Sequence, residues 1–213
     1  MKLKRSCSFL LPAIHRVLLI TSVVPAIMTM LIAGSCSADS GIDRLTELLY
    51  SQGYSAEFDF SLAGNGDDTI EGSAVASKQD TVNIAFSSPE AFEGLSVESN
   101  ENGEADILMF NYYGMKIPLP DRALTKINLL ISFFSDEAAS CLSSLPHGSV
   151  KDCDMPEGNF PDTAVPKSCI FELGDDIVCT LIFDAASGVP MQYTAVSGDI
   201  SATINFTKIK YPS

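Results

Sequence analysis

Four cysteines, Cys141, Cys153, Cys169 and Cys179, hold the most reactive side chains in the second half of the chain. Thiols can pair as disulfides in an oxidising compartment or hold zinc together with histidine. Four thiols allow three pairings. Cys141–Cys153 with Cys169–Cys179 would close two short local loops. Zinc would draw on His147, which lies between Cys141 and Cys153, but the close Cys-x-x-Cys pairs of structural zinc sites are missing. A Ser-His-Asp triad would also have to use His147, and no Gly-x-Ser-x-Gly elbow occurs. Asp67-Asp68 and Asp175-Asp176 place carboxylates side by side without the spacing of a calcium loop. Gly64-Asn65-Gly66 lacks the third glycine and the following helix of a nucleotide-binding turn. No metal, cofactor or catalytic constellation is therefore expected. An enzyme would need polar groups with shifted pKa values converging in a cleft.

Hydrophobic periodicity supplies the elements around these residues. Ile42, Leu45, Leu48 and Leu49 form a helical stripe over residues 40–52, with Ser40 as the cap and Gly53 as the stop. From Tyr54 the period falls to two. Phe58, Phe60 and Leu62 alternate with Glu57, Asp59 and Ser61, and runs at 69–77 and 81–86 follow across short turns. Leu95, Val97, Ile107 and Met109 continue on one face, and a strand at 113–119 ends among Pro118 and Pro120. Asp121 can cap a helix carrying Leu124, Ile127, Leu130, Ile131 and Phe134. Ser135-Asp136-Glu137 starts a second, short helix. Residues 147–167 read as a loop rich in Pro, Gly and Asp. Strands at 169–173, 177–184, 189–196 and 200–209 close the chain. The pattern is an antiparallel meander with one apolar face, mainly β with helices at its start and middle.

The N-terminus carries an address. Lys2, Lys4, Arg5 and Arg16 precede an apolar run from Val17 to Ile32, and no acidic residue occurs before Asp39. This is the pattern of a secretory signal, too short for a comfortable membrane-spanning helix. Leu31-Ile32-Ala33-Gly34-Ser35-Cys36 resembles the lipobox of bacterial lipoproteins, whose cysteine receives diacylglycerol. The usual leucine three places before the cysteine is Ala33 here. A secretory signal cut after Ala33 or Ser35, with Cys36 free or disulfide-bonded, is the alternative. The lipobox implies a signal peptide over 1–35, a tether over 36–40, one domain over 41–213 and attachment to the outer side of the cell membrane.

From Cys36 onward, 9 basic residues face 27 acidic ones, a net charge of −18. Such a surface repels nucleic acid and anionic headgroups, so membrane attachment would depend on the lipid. A basic partner surface is favoured.

The order of elements resembles that of the LolA/LolB-like lipoprotein carriers and receptors. The likeness lies in Phe58-Asp59-Phe60-Ser61-Leu62 after the first helix. It continues in Ser88-Pro89-Glu90-Ala91-Phe92-Glu93-Gly94-Leu95-Ser96-Val97, runs on through Tyr112-Tyr113-Gly114-Met115, and recurs in Phe183-Asp184-Ala185-Ala186-Ser187-Gly188-Val189-Pro190. The resemblance implies a curved, unclosed antiparallel half-barrel of roughly nine to eleven strands with helices across its open side. Lipidation suits the receptor branch or homologues from single-membrane bacteria, including spore-germination lipoproteins of that fold. The cavity-side residues are then expected to be Phe58, Phe60, Val82, Ile84, Leu95, Val97, Ile107 and Met109, with Leu124, Ile127, Ile131 and Phe134 on the lid helix. Two functions follow. One is non-catalytic binding of a lipid or lipoprotein acyl chain in the cavity. The other is a tethered scaffold for an envelope protein such as a cell-wall hydrolase. The same residues can also be plain core.

Overall fold

Alternation of apolar and polar residues puts every second side chain of a strand on one face, a pattern clearest at 55–63, 177–184 and 200–210. The computed structural model describes residues 37–50, 54–64, 69–78, 81–99, 105–110, 115–118, 121–146, 148–158, 160–174 and 176–210. One compact unit begins at Ala38. Helix α1 (Ser37–Tyr50) leads into β1 (Ser55–Ala63), β2 (Ile70–Lys78), β3 (Val82–Phe86), β4 (Leu95–Ser99), β5 (Ala105–Phe110) and β6 (Met115–Pro118). Helix α2 (Asp121–Ile131), a 3-10 turn (Ser132–Phe134) and helix α3 (Asp136–Ser143) follow. The chain ends in β7 (Lys151–Asp152), β8 (Pro166–Leu173), β9 (Ile177–Asp184), β10 (Pro190–Ser197) and β11 (Ile200–Lys210).

The strands form one antiparallel sheet in the order β6-β5-β4-β3-β2-β1-β11-β10-β9-β8-β7. Among the described residues its end strands β6 and β7 do not pair with each other, so the sheet is an unclosed half-barrel, the α+β, mainly β class expected. β1 sits at the centre, paired with β2 on one side and β11 on the other. Every second residue of β1, from Ala56 through Phe58 and Phe60 to Leu62, is buried. The same alternation buries Cys179, Leu181 and Phe183 on β9 and Ala202, Ile204 and Phe206 on β11.

The helices bury their stripes against this face. Ile42, Leu45, Leu48 and Leu49 of α1 are all in the core. Two glycines let α1 approach: a Cβ on Gly41 would meet Ala185 O at 2.7 Å, and one on Gly188, at φ +74°, would meet Gly41 O at 2.6 Å. Arg44 donates to Ala186 O across the same contact. Helix α2 buries Ile127, Leu129, Leu130 and Ile131, and the 3-10 turn buries Phe133 and Phe134. Ser135 caps α3 by accepting a hydrogen bond from Ala138 N at 3.1 Å. Leu142, Ala138 and Ala139 fill its inner side.

The structure changes several expectations. Residues 132–134 tighten into a 3-10 turn instead of extending the helix, which lets Phe133 and Phe134 both point inward. The loop at 147–167 contains β7 and the first residues of β8. The signal segment and Cys36, the stop at Gly53, the turn residues 65–68 and 100–103, Tyr112–Gly114, Leu119, His147 and Asp175 lie outside the described residues.

Candidate ligand-binding site

Aromatic rings from β1 and the residue before it, the 3-10 turn, β10 and β11 pack together over the concave face. Phe134 stands 5.9 Å from Phe58, 6.4 Å from Tyr54 and 5.1 Å from Phe133. Phe133 lies 4.9 Å from Phe206 and 5.1 Å from Tyr193. Separations of this size suit tilted and edge-to-face ring packing. Most expected cavity residues meet here: Phe58, Phe60, Val82, Ile84, Val97, Ile127, Ile131 and Phe134 are buried in one cluster, with Leu95 packed against it half-buried. In this state they serve as core.

Three expected residues need separate treatment. Leu124 lies in α2, its side chain outside the description. The register pairs Val97 with Leu108 and Leu95 with Phe110, while Ile107 pairs with Glu98 and Met109 with Ser96. Leu108 and Phe110 are thus in register with Val97 and Leu95, and the side chains of residues 107–110 lie outside the description. All four are apolar, so alternation alone does not fix the phase of this strand.

Between the helical cover and the sheet an opening remains. It has a volume of about 360 Å³ and lies among α2, the 3-10 turn, the start of α3 and the ends of β8, β9 and β10. Leu129, Leu173 and Ile177 give it apolar walls; Thr125, Asn128, Ser132, Ser135, Glu137 and Ser197 give it polar ones. The volume falls in the range of small-ligand pockets, about 300–1,000 Å³. Glu137 accepts a hydrogen bond from Gly174 N at 3.0 Å, which ties α3 to the β8–β9 turn.

A buried polar chain runs inward from this opening. Ser132 Oγ donates to Leu129 O at 2.7 Å and lies 2.7 Å from Tyr193 Oη, which lies 3.1 Å from Cys179 Sγ. One proton arrangement satisfies all three groups: the thiol donates to Tyr193, and Tyr193 donates to Ser132. Tyr193 is fully buried, and burial, reinforced by Cys179, holds its phenol well above the ordinary range.

A second polar group sits at the other side of the cover. Lys78, the last residue of β2, shares the inward side with Ala74 and Ala76. Its ammonium donates to Leu49 O at the end of α1 and to Asp136 Oδ1 in the first turn of α3, both at 2.7 Å. The Lys78 side chain is 10% exposed, that of Asp136 78%. Nearby, the Tyr54 hydroxyl is buried without a hydrogen-bond partner among the described residues. Burial, with the Asp136 carboxylate adding to it, pushes its phenol far above the usual value. In the sequence Lys78 reads as the first residue of a connection. Its place two residues after Ala76 is the signal that would have put it inside.

No disulfide joins the four described cysteines, Cys141, Cys153, Cys169 and Cys179, in this structure. Cys169 faces Leu181 and Cys179 faces Phe171, so this pair is diagonal across β8 and β9. Diagonal neighbours sit roughly 7–8 Å apart, beyond disulfide reach. Cys141 Sγ instead donates to Glu172 O at 3.4 Å. Desolvation pushes the Cys169 thiol up to about 12 and the Cys179 thiol up to about 11. The thiolate is the reactive form and its fraction drops tenfold per unit of pKa. Iodoacetamide at pH 8 is therefore expected to label half-buried Cys141 and Cys153 at least about tenfold faster than Cys169 or Cys179. Peptide mass mapping over a time course checks this, and equal rates would refute it.

No protein-family model matches this chain, and no curated protein matches it in sequence. Similar solved structures include a LolA superfamily protein, NE2245, from Nitrosomonas europaea, at 7% identity over 83% of this chain and 94% of the other, with a TM-score of 0.35. LprF from Mycobacterium bovis is 7% identical over 83% of this chain and 94% of the other, with a TM-score of 0.38. MucB in the MucA/MucB complex of Pseudomonas aeruginosa is 14% identical over 83% of this chain and 58% of the other, with a TM-score of 0.37.

Proposed function

We propose that this chain is an extracytoplasmic lipoprotein, anchored through Cys36, that holds an acyl chain between its half-barrel and its helical cover without catalysing a reaction. The opening beside Leu129, Leu173 and Ile177 carries the reading. It leaves the cover and the sheet apart where apolar and polar walls meet, which suits an amphiphile. Movement of α2 and α3 would extend it along the rings of Phe133 and Phe134. The lipobox-like run at 31–36 supports the anchor. Such a protein would work on lipids or lipoproteins at the membrane that holds it.

The test has two readouts on protein extracted from its native membrane. Intact mass is expected to show diacylglycerol on Cys36. A fluorescent sixteen-carbon fatty acid is expected to bind, and Leu173→Trp, which fills the opening, to weaken that binding about tenfold, the loss that follows from excluding part of a buried chain. Absence of probe binding, or equal binding by the filled variant, would sink the reading.

A second reading is a tethered scaffold for another envelope protein. It is favoured by the outer face of β8–β10, where Ile170, Val178 and Val196 are exposed. Val178 lies directly opposite Val196.

A further inference from the structure

We propose that Lys78, Tyr54 and the first turn of α3 form a binding site for the oxyanion headgroup of a single-chain amphiphile, and that the Asp136 carboxylate fills that site in this structure. The inference rests on the acyl-chain reading above and names the ligand class.

A lysine this buried is rare, and rarer in a domain whose charge is so strongly negative. Its ammonium has three donors. Leu49 O and Asp136 Oδ1 take two of them. The third donor and the Tyr54 hydroxyl remain. That hydroxyl is the orphan: Tyr54 is 2% exposed and the group has no partner among the described residues. Burying a hydroxyl without a partner costs free energy, and an oxyanion arriving at Lys78 would remove that cost. The first turn of α3 adds the positive end of a helix dipole.

The two members of the ion pair differ in a way that makes exchange easy. Asp136 lies at the surface and Lys78 beneath it. If the carboxylate swings out it returns to water, and the arriving oxyanion takes over its charge on the buried ammonium. Past Tyr54 and Phe134, whose rings lie 6.4 Å apart, the interior is packed, so a chain attached to that oxyanion would enter only with the movement of α2 and α3 that the acyl-chain reading already requires. The internal carboxylate thus acts as a competitor that keeps the cover shut until a charged amphiphile displaces it.

Four probes with one sixteen-carbon chain separate the terms: palmitate, hexadecyl phosphate, hexadecanol and hexadecyltrimethylammonium. Each is titrated against the purified protein by competition with the fluorescent fatty acid. The two anions are expected to bind about tenfold or more tighter than hexadecanol, the gain of a charge-assisted contact, with the cation weakest. The tighter of palmitate and hexadecyl phosphate tells whether the site prefers a carboxylate or a phosphate. Tyr54→Phe is expected to reduce the preference for anions about fivefold with folding stability kept, since it deletes an unpaired group. Asp136→Asn removes the competitor and is expected to tighten anion binding while leaving hexadecanol unchanged. Equal affinity for hexadecanol and the anions would overturn the headgroup site and leave the chain-binding reading intact. Unchanged anion affinity in Asp136→Asn would overturn it as well. Failure of all four probes to bind would remove both.

Discussion

Phe134→Ala is expected to lower the unfolding free energy by about 3–5 kcal/mol, the range for deleting a fully buried aromatic ring. Phe134 is 0% exposed. Its ring meets Tyr54, Phe58, Phe133 and Phe206, which come from the entry to β1, from β1 itself, from the 3-10 turn and from β11. The cavity left behind cannot close by a side-chain shift, because each neighbour is itself fixed by a strand or a turn. A fall in urea midpoint with unchanged slope is the signature of lost packing in an intact fold. A loss below about 1 kcal/mol would show that the turn does not pack on the sheet in solution.

The second large effect concerns the polar link on the other side of the cover. Lys78→Met keeps the length of the stem and removes the charge. It leaves Leu49 O without its donor and frees Asp136, for an expected loss of about 1–3 kcal/mol. Asp136→Asn does something different: it leaves a buried ammonium without a counter-charge. The expected loss is about 2–3 kcal/mol, at or below the lower limit for broken buried pairs because the carboxylate side is exposed to solvent. The double variant carries no buried charge. It should be more stable than the sum of the single losses implies, with a coupling of about 1 kcal/mol or more. Urea unfolding of all four proteins measures the cycle, and strictly additive losses would show that Lys78 and Asp136 do not interact.

Much of this architecture is legible in the sequence because the two periodicities are clean. Phe58, Phe60 and Leu62 announce β1, and Ile42, Leu45, Leu48 and Leu49 announce α1, since each set is apolar on one side only. The reading fails where that contrast is missing. Ile107, Leu108, Met109 and Phe110 are apolar throughout, so alternation sets no phase for β5. Lys151-Asp152 carries no apolar residue, so β7 left no trace. Closeness in sequence pairs Cys169 with Cys179, whereas the register of β8 on β9 sets Cys169 opposite Leu181 and Cys179 opposite Phe171. The candidate site divides in the same way. Its aromatic residues follow from alternation, but the Lys78–Asp136 link joins residues 58 positions apart, and the link from Tyr193 to Ser132 joins residues 61 apart. Neither distance leaves a local signature.

The central position of β1 has a consequence for assembly. β1 forms early in the chain and pairs on one side with its neighbour β2, a hairpin that can close locally. Its other side waits for β11: Thr207 donates to Glu57 O across 150 residues. Bringing such distant segments together costs chain entropy before it returns any contact, and folds that depend on it complete slowly. Until residues 200–210 arrive, β1 is a bare edge of unpaired amides backed by Phe58 and Phe60, the kind of edge on which chains aggregate. A chain threaded across a membrane from its first residue would deliver that strand late. The half-barrel is therefore a structure that cannot be finished in the order in which it is delivered, and a partner that guards β1 during passage would protect it most.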